Sequence, residues 1–141
     1  MTRRLFSAFS SFTFFGLLSV SMTVAAETHK VRIQVPFDFQ MNGVAMPAGQ
    51  YIFEAIPHRG LLYLTAPDGG RHAAITMPLG NPSSSKPPQI VFERVGSRYR
   101  LAEVWLSGGG VGGGLQRTRA EKEHAARFGK GDFVAFAFKG R

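Results

Sequence analysis

Ile90-Val91-Phe92-Glu93-Arg94-Val95, then Gly96-Ser97, then Arg98-Tyr99-Arg100-Leu101-Ala102-Glu103-Val104-Trp105-Leu106 is the most informative part of the chain. Two runs rich in β-branched and aromatic residues flank a two-residue turn with glycine first, the preference of a type II′ hairpin. Such a turn sets Val95 opposite Arg98, Arg94 opposite Tyr99, Glu93 opposite Arg100 and Phe92 opposite Leu101. Glu93 and Arg100 then make a cross-strand ion pair and Arg94 a cation–π contact with Tyr99, each worth up to about 1 kcal/mol. A slip of one residue would break all four pairs, so the sequence predicts this register.

Upstream the same logic repeats. Val31, Ile33, Val35, Phe37, Phe39 and Met41 alternate with mostly polar neighbours, which predicts a half-buried strand. Pro36 lacks an N–H, so this strand lies at an edge or bends there. Asn42-Gly43 suits two successive positive-φ positions. Pro47-Ala48-Gly49 turns into a strand at 51–56, His58-Arg59-Gly60 into one at 61–65, and Pro67-Asp68-Gly69-Gly70 into one at 73–77. Residues 80–88, crowded with Pro and Ser, read as a loop.

Downstream, the glycines from Gly108 to Gly114 offer almost no side chain to pack, which predicts a glycine-rich loop over 107–117. Thr118-Arg119-Ala120-Glu121 is a capping box that opens a short helix over 118–128. Gly129-Lys130-Gly131 ends it. Residues 132–138 alternate Val134, Phe136 and Phe138 against Phe133, Ala135 and Ala137, a candidate closing strand that joins its own sheet or a neighbour's. The whole predicts an all-β fold: an antiparallel meander forming a small β-sandwich or barrel, with one short C-terminal helix, in a single β-domain over 27–141.

The chain has 141 residues, 17 Lys+Arg against 9 Asp+Glu, and no cysteine. Without cysteine there is no disulfide framework, no thiol nucleophile and no thiolate metal site. Residues 1–26 read as a signal peptide: Arg3 and Arg4 form a positive start, residues 5–20 an apolar run diluted by serines, and Val24-Ala25-Ala26 a cleavage site before Glu27. The serines make the run a poor bilayer span, so the expectation is export to the periplasm or beyond, with no transmembrane span after cleavage. Losing Arg3 and Arg4 lowers the net charge from +8 to +6. The remaining basic residues are scattered rather than striped, which argues against a nucleic-acid partner.

Val35-Pro36-Phe37-Asp38-Phe39, Met46-Pro47-Ala48-Gly49-Gln50-Tyr51, Ile90-Val91-Phe92-Glu93-Arg94, Leu101-Ala102-Glu103-Val104-Trp105 and Thr118-Arg119-Ala120-Glu121 follow one another in order. This succession resembles a family of small, exported, uncharacterised bacterial proteins with a V-P-F-x-F start, an L-P-A-G-x-Y turn, an L-V-F-H-R-Y-G-D-x-Y-F-L-x-E-V-W core and an S-R-A-E-R tail. The chain departs from that pattern at Glu93, where the family has His, at Val95, where it has Tyr, and at Gly113-Gly114 and Gln116 before the tail. Residues 132–138 are an extension. The resemblance implies export and a β fold, and it brings no activity.

Little in the sequence points to catalysis. His29, His58, His72 and His124 lie far apart, with no metal-ligand spacing among them. There is no nucleophile elbow, phosphate loop or dinucleotide fingerprint. Strict alternation puts Glu103 on one face with Tyr99, Leu101 and Trp105. It is then either a carboxylate with a raised pKa, as acid–base chemistry uses, or half of a buried ion pair with Arg32 or Arg94. Tyr99, Glu103 and Trp105 are therefore the candidate ligand-binding residues, with Tyr51 and Tyr63 as further rings of an aromatic platform. The same rings serve equally as core. No cofactor and no metal are expected. The leading expectation is a non-enzymatic binding or structural module of the cell envelope, its partner an envelope protein or glycan. The alternatives are a β-barrel carrier of a small apolar or glycan ligand, and a hydrolase using Glu103.

Overall fold

The computed structural model describes residues 29–80, 86–106 and 112–138; the leader expected over 1–26 lies outside them. The first sheet takes β1 (His29–Val35), β4 (Gly49–Ile56), β5 (Leu61–Thr65) and β6 (Arg71–Ile75), paired antiparallel in that order. The second takes β11 (Asp132–Ala137), β8 (Gln89–Val95), β9 (Arg98–Trp105), β10 (Gly112–Gly114) and β7 (Met77–Leu79). Two short strands, β2 (Phe39–Met41) and β3 (Val44–Met46), extend it, and α1 (Arg119–Phe128) precedes β11. The sheets form a sandwich-like all-β fold, and among the described residues no barrel closes. Val35, Tyr51, Phe53, Leu62 and Leu64 from the first sheet meet Phe39, Ile90, Phe92 and Leu101 from the second.

Pro36 explains why the first alternating run becomes two strands. β1 is an edge strand of the first sheet, and after the bend at Pro36-Phe37-Asp38 the chain resumes as β2 in the second. Asp38 fixes the crossing by accepting a 2.8 Å hydrogen bond from the Ala48 N–H. β2 pairs with β9 in parallel, Phe39 opposite Tyr99, a departure from the wholly antiparallel meander expected of the sequence. The β2–β3 hairpin turns on Asn42 and Gly43 at φ 51° and 79°, the two positive values its type demands. In the β8–β9 turn Gly96 has φ 62° while Ser97 stays negative, as type II′ requires.

The β8–β9 register is the predicted one from Val95↔Arg98 to Phe92↔Leu101. Beyond it Val91 pairs with Glu103, so Ala102 is an extra residue, a β-bulge. A bulge reverses which side chains face inward. Leu101 points to the core before it and Val104 and Leu106 after it, which turns Glu103 and Trp105 onto the outer face. The expected sharing of one face by Glu103, Tyr99 and Leu101 is thus overturned.

The glycine run is not a loop throughout. Gly112–Gly114 form β10 between β9 and β7. Their missing side chains let neighbours pack on bare backbone: a Cβ on Gly112 would lie 2.5 Å from the Trp105 ring, and one on Gly113 2.7 Å from the Thr76 Cβ. Thr118 caps α1 as predicted, its hydroxyl accepting from the Glu121 N–H at 3.3 Å while the Glu121 carboxylate accepts from the Thr118 N–H at 2.7 Å. No residue of α1 is buried. β11 joins its own sheet through β8, with Phe136 and Phe138 against the core.

Candidate functional site

The bulge at Ala102 separates the three candidate residues. Tyr99 lies before it and turns inward, its ring stacked on Phe37 with centroids 3.9 Å apart. Glu103 and Trp105 lie after it, on the outside. There the Trp105 indole N–H donates to Glu103 Oε2 at 2.8 Å. Lys86 Nζ approaches the same oxygen at 3.3 Å and sits 4.2 Å above the indole. Trp105 is almost covered, 4% exposed, because its ring rests on the backbone of Gly112. Glu103 is therefore neither a core carboxylate nor the partner of Arg32 or Arg94; its cation is Lys86.

The wider aromatic platform does not assemble. Tyr51 is fully buried between the sheets, its hydroxyl donating to the Pro47 carbonyl at 2.5 Å. Tyr63 lies between the inward-facing Leu62 and Leu64, on the opposite face of β5, with the Arg71 guanidinium 4.2 Å above its ring. Arg94 stands opposite Tyr99 in register, yet its guanidinium reaches Asp132 at 3.3 Å while the Tyr99 ring is taken by Phe37.

Among the described residues the buried charged side chain is Glu93, 2% exposed. Arg100 meets it across the hairpin as predicted, Nε to Oε2 at 2.7 Å. Arg117 supplies a second guanidinium from the segment before α1, its Nε donating to Oε2 at 3.2 Å and its Nη2 to Oε1. Arg100 also donates to the Leu115 carbonyl at 3.2 Å. Burial pushes the Glu93 carboxyl up, but the hydrogen bonds and charges of Arg117 and Arg100 outweigh it and hold the group below its ordinary value. Gly131 must pass close: a Cβ there would lie 2.7 Å from Glu93 Cγ. The sequence points to Arg100 alone; Arg117 follows the glycine run, and its approach depends on how Leu115 docks. Leu115 N donates to the carbonyl of the bulged Ala102 at 2.8 Å.

Above this triad lies a cleft of about 110 Å³, lined by Gln40, Arg98, Tyr99, Thr118 and His124. His124 Nε2 donates to the Val95 carbonyl at 3.0 Å and its ring leans on Phe128. A carboxylate held by two guanidinium groups cannot serve as a base near neutral pH, and the capping oxygens of Thr118 and Glu121 are already engaged. The cluster ties β8, β9 and the approach to α1 into one unit. Among the described residues no group of three or more His, Asp and Glu converges to hold a metal ion, and no helix is long and apolar enough to cross a membrane. No protein-family model, no curated protein and no solved structure matches the chain.

Proposed function

We propose that the protein is an exported, non-enzymatic module of the cell envelope, periplasmic or extracellular, that binds or braces an envelope protein or glycan. One observation carries the reading: the space between the sheets is filled. Tyr51, Phe53, Leu62, Leu64, Ile90 and Phe92 are all at 0% exposure. The hollow between the sheets near Leu62, Thr76 and Leu106 holds only about 40 Å³, far below the roughly 300 Å³ at which ligand pockets begin. That favours a surface-acting module over a carrier of small ligands. The engagement of Glu103 with Lys86 and Trp105 weighs against a hydrolase. Export rests on the leader pattern and on the resemblance to small exported β-domain proteins.

Fractionation of cells expressing the full chain, with N-terminal sequencing of the product, tests the address. A product beginning at Glu27 outside the cytoplasm is expected; retention inside with the leader intact would overturn it. Saturable binding of that product to isolated envelope fractions is expected of the module, and no saturable binding to either protein or glycan fractions would refute it.

A further inference from the structure

β11 ends the second sheet, and among the described residues β8 is its one strand partner. Other sheet edges carry features that discourage pairing: Lys30 and Arg32 in β1, Pro78 in β7, the opening Arg71-His72 in the five-residue β6, and only three residues in β3. β11 has none after its first residue. Phe133-Val134-Ala135-Phe136-Ala137-Phe138 is uncharged and free of Pro and Gly, and Phe133 is 60% exposed. We propose that this edge pairs antiparallel with the same edge of a second copy, making a dimer with one continuous sheet. This goes beyond the envelope role, which requires no particular oligomer.

The backbone fixes the register. The Phe138 N–H donates to Pro88 O at 3.2 Å, on the β8 side. Alternate residues direct their N–H and C=O to opposite sides of an antiparallel strand, so Phe136 and Val134 also face β8. Phe133, Ala135 and Ala137 then present their N–H and C=O to the free edge. A two-fold axis perpendicular to the sheet keeps each face continuous and pairs Ala135 with itself and Phe133 with Ala137, each pair exchanging both hydrogen bonds.

A second copy is the occupant this pattern fits. On the outer face the large Phe133 meets the small Ala137 of its partner, and on the inner face Val134 meets Phe136, so one strand supplies both ring and room. Charge does not oppose the pairing: Asp132, the one charged residue of the strand, is held by Arg94 of its own chain at 3.3 Å.

Sedimentation of the purified full-length product tests the pairing. The weight-average mass should rise toward twice the chain mass with concentration. Ala135→Pro removes an N–H from the free edge alone, so it should leave the β fold intact by circular dichroism and weaken association about tenfold or more. Phe133→Lys, on an exposed ring, should do the same without altering the backbone. Because the natural chain has no cysteine, single cysteines read the register. Ala135→Cys should oxidise to a covalent dimer, its Cα atoms about 5.5 Å apart. Ala137→Cys, about 14 Å from its counterpart, should not. A monomer at every concentration, a dimer that survives both disruptive variants, or equal cross-linking at the two cysteines would overturn the proposal. So would protection of the Ala135 amide in a monomer, which would mean another segment of the chain occupies the edge.

Discussion

Glu93 and Arg100 face each other across the β8–β9 hairpin with Nε and Oε2 2.7 Å apart, the carboxylate 2% exposed and shared with Arg117. Removing one member of a buried ion cluster leaves the others uncompensated, a loss of about 3–5 kcal/mol. Glu93→Gln is expected to destabilise on that scale in urea unfolding, more than Arg117→Gln, which leaves the Arg100 bond in place.

Acid unfolding should carry the same signature. The folded Glu93 carboxyl ionises below its ordinary value of 4.5, so the unfolded chain takes up its proton first as pH falls. The stabilisation is therefore complete above that value and is lost as pH drops through the folded one. Between pH 6 and about 3, a span that brackets ordinary carboxyl values, the wild type should lose more stability than Glu93→Gln. Parallel curves would assign acid sensitivity to other carboxylates.

Tyr51 gives the opposite limb. Burial, then the charges of Asp68 and Asp38, push its phenol up, so its stabilisation is full below the ordinary value and is lost as pH rises through the folded one. Tyr51→Phe should cost about 1 kcal/mol at neutral pH through the lost bond to Pro47 O. Its stability should fall less steeply than the wild type's above about pH 10.

Gly112→Ala should destabilise by about 1–3 kcal/mol, the scale of overpacking, because the added methyl would lie 2.5 Å from the Trp105 ring. Trp105 is the only tryptophan, so its emission reports the disturbance directly. An unchanged spectrum and midpoint would mean that β10 moves freely away from it.

Thr118→Ala should act locally. The cap is worth about 1 kcal/mol, and α1 buries none of its own residues. Hydrogen exchange of α1 amides should quicken severalfold while the core strands keep their protection.

Much of this architecture was legible in the chain because its turns are chemically explicit. Asn42-Gly43, Pro67-Asp68-Gly69-Gly70 and Gly96-Ser97 each demand a backbone shape that few residues adopt, and each fixes the strands beside it. The capping box at Thr118 was equally readable. The failures share a cause: alternation along a strand holds only while the ladder is regular. Nothing around Ala102 announces a bulge, so strict alternation places Glu103 with Tyr99, on the face opposite the one it occupies. From sequence alone the glycine run shows only what it lacks. Its use, bare backbone for Trp105 and Thr76 to rest on, depends on neighbours that lie far away in sequence. Arg117 was invisible for the same reason.

The crossing at Pro36 has a mechanical consequence. The segment joining β1 to β4 is the β2–β3 hairpin, which belongs to the opposite layer. The two layers are therefore interlocked by the polypeptide itself, and peeling β1 from β4 frees a strap whose middle is still fastened across the core. Melting of one layer therefore pulls on the strap that holds the other, and the two are expected to unfold together. Amides of Val31 and Leu101, one in each layer, should open together with the same free energy, as a latch that releases both leaves at once.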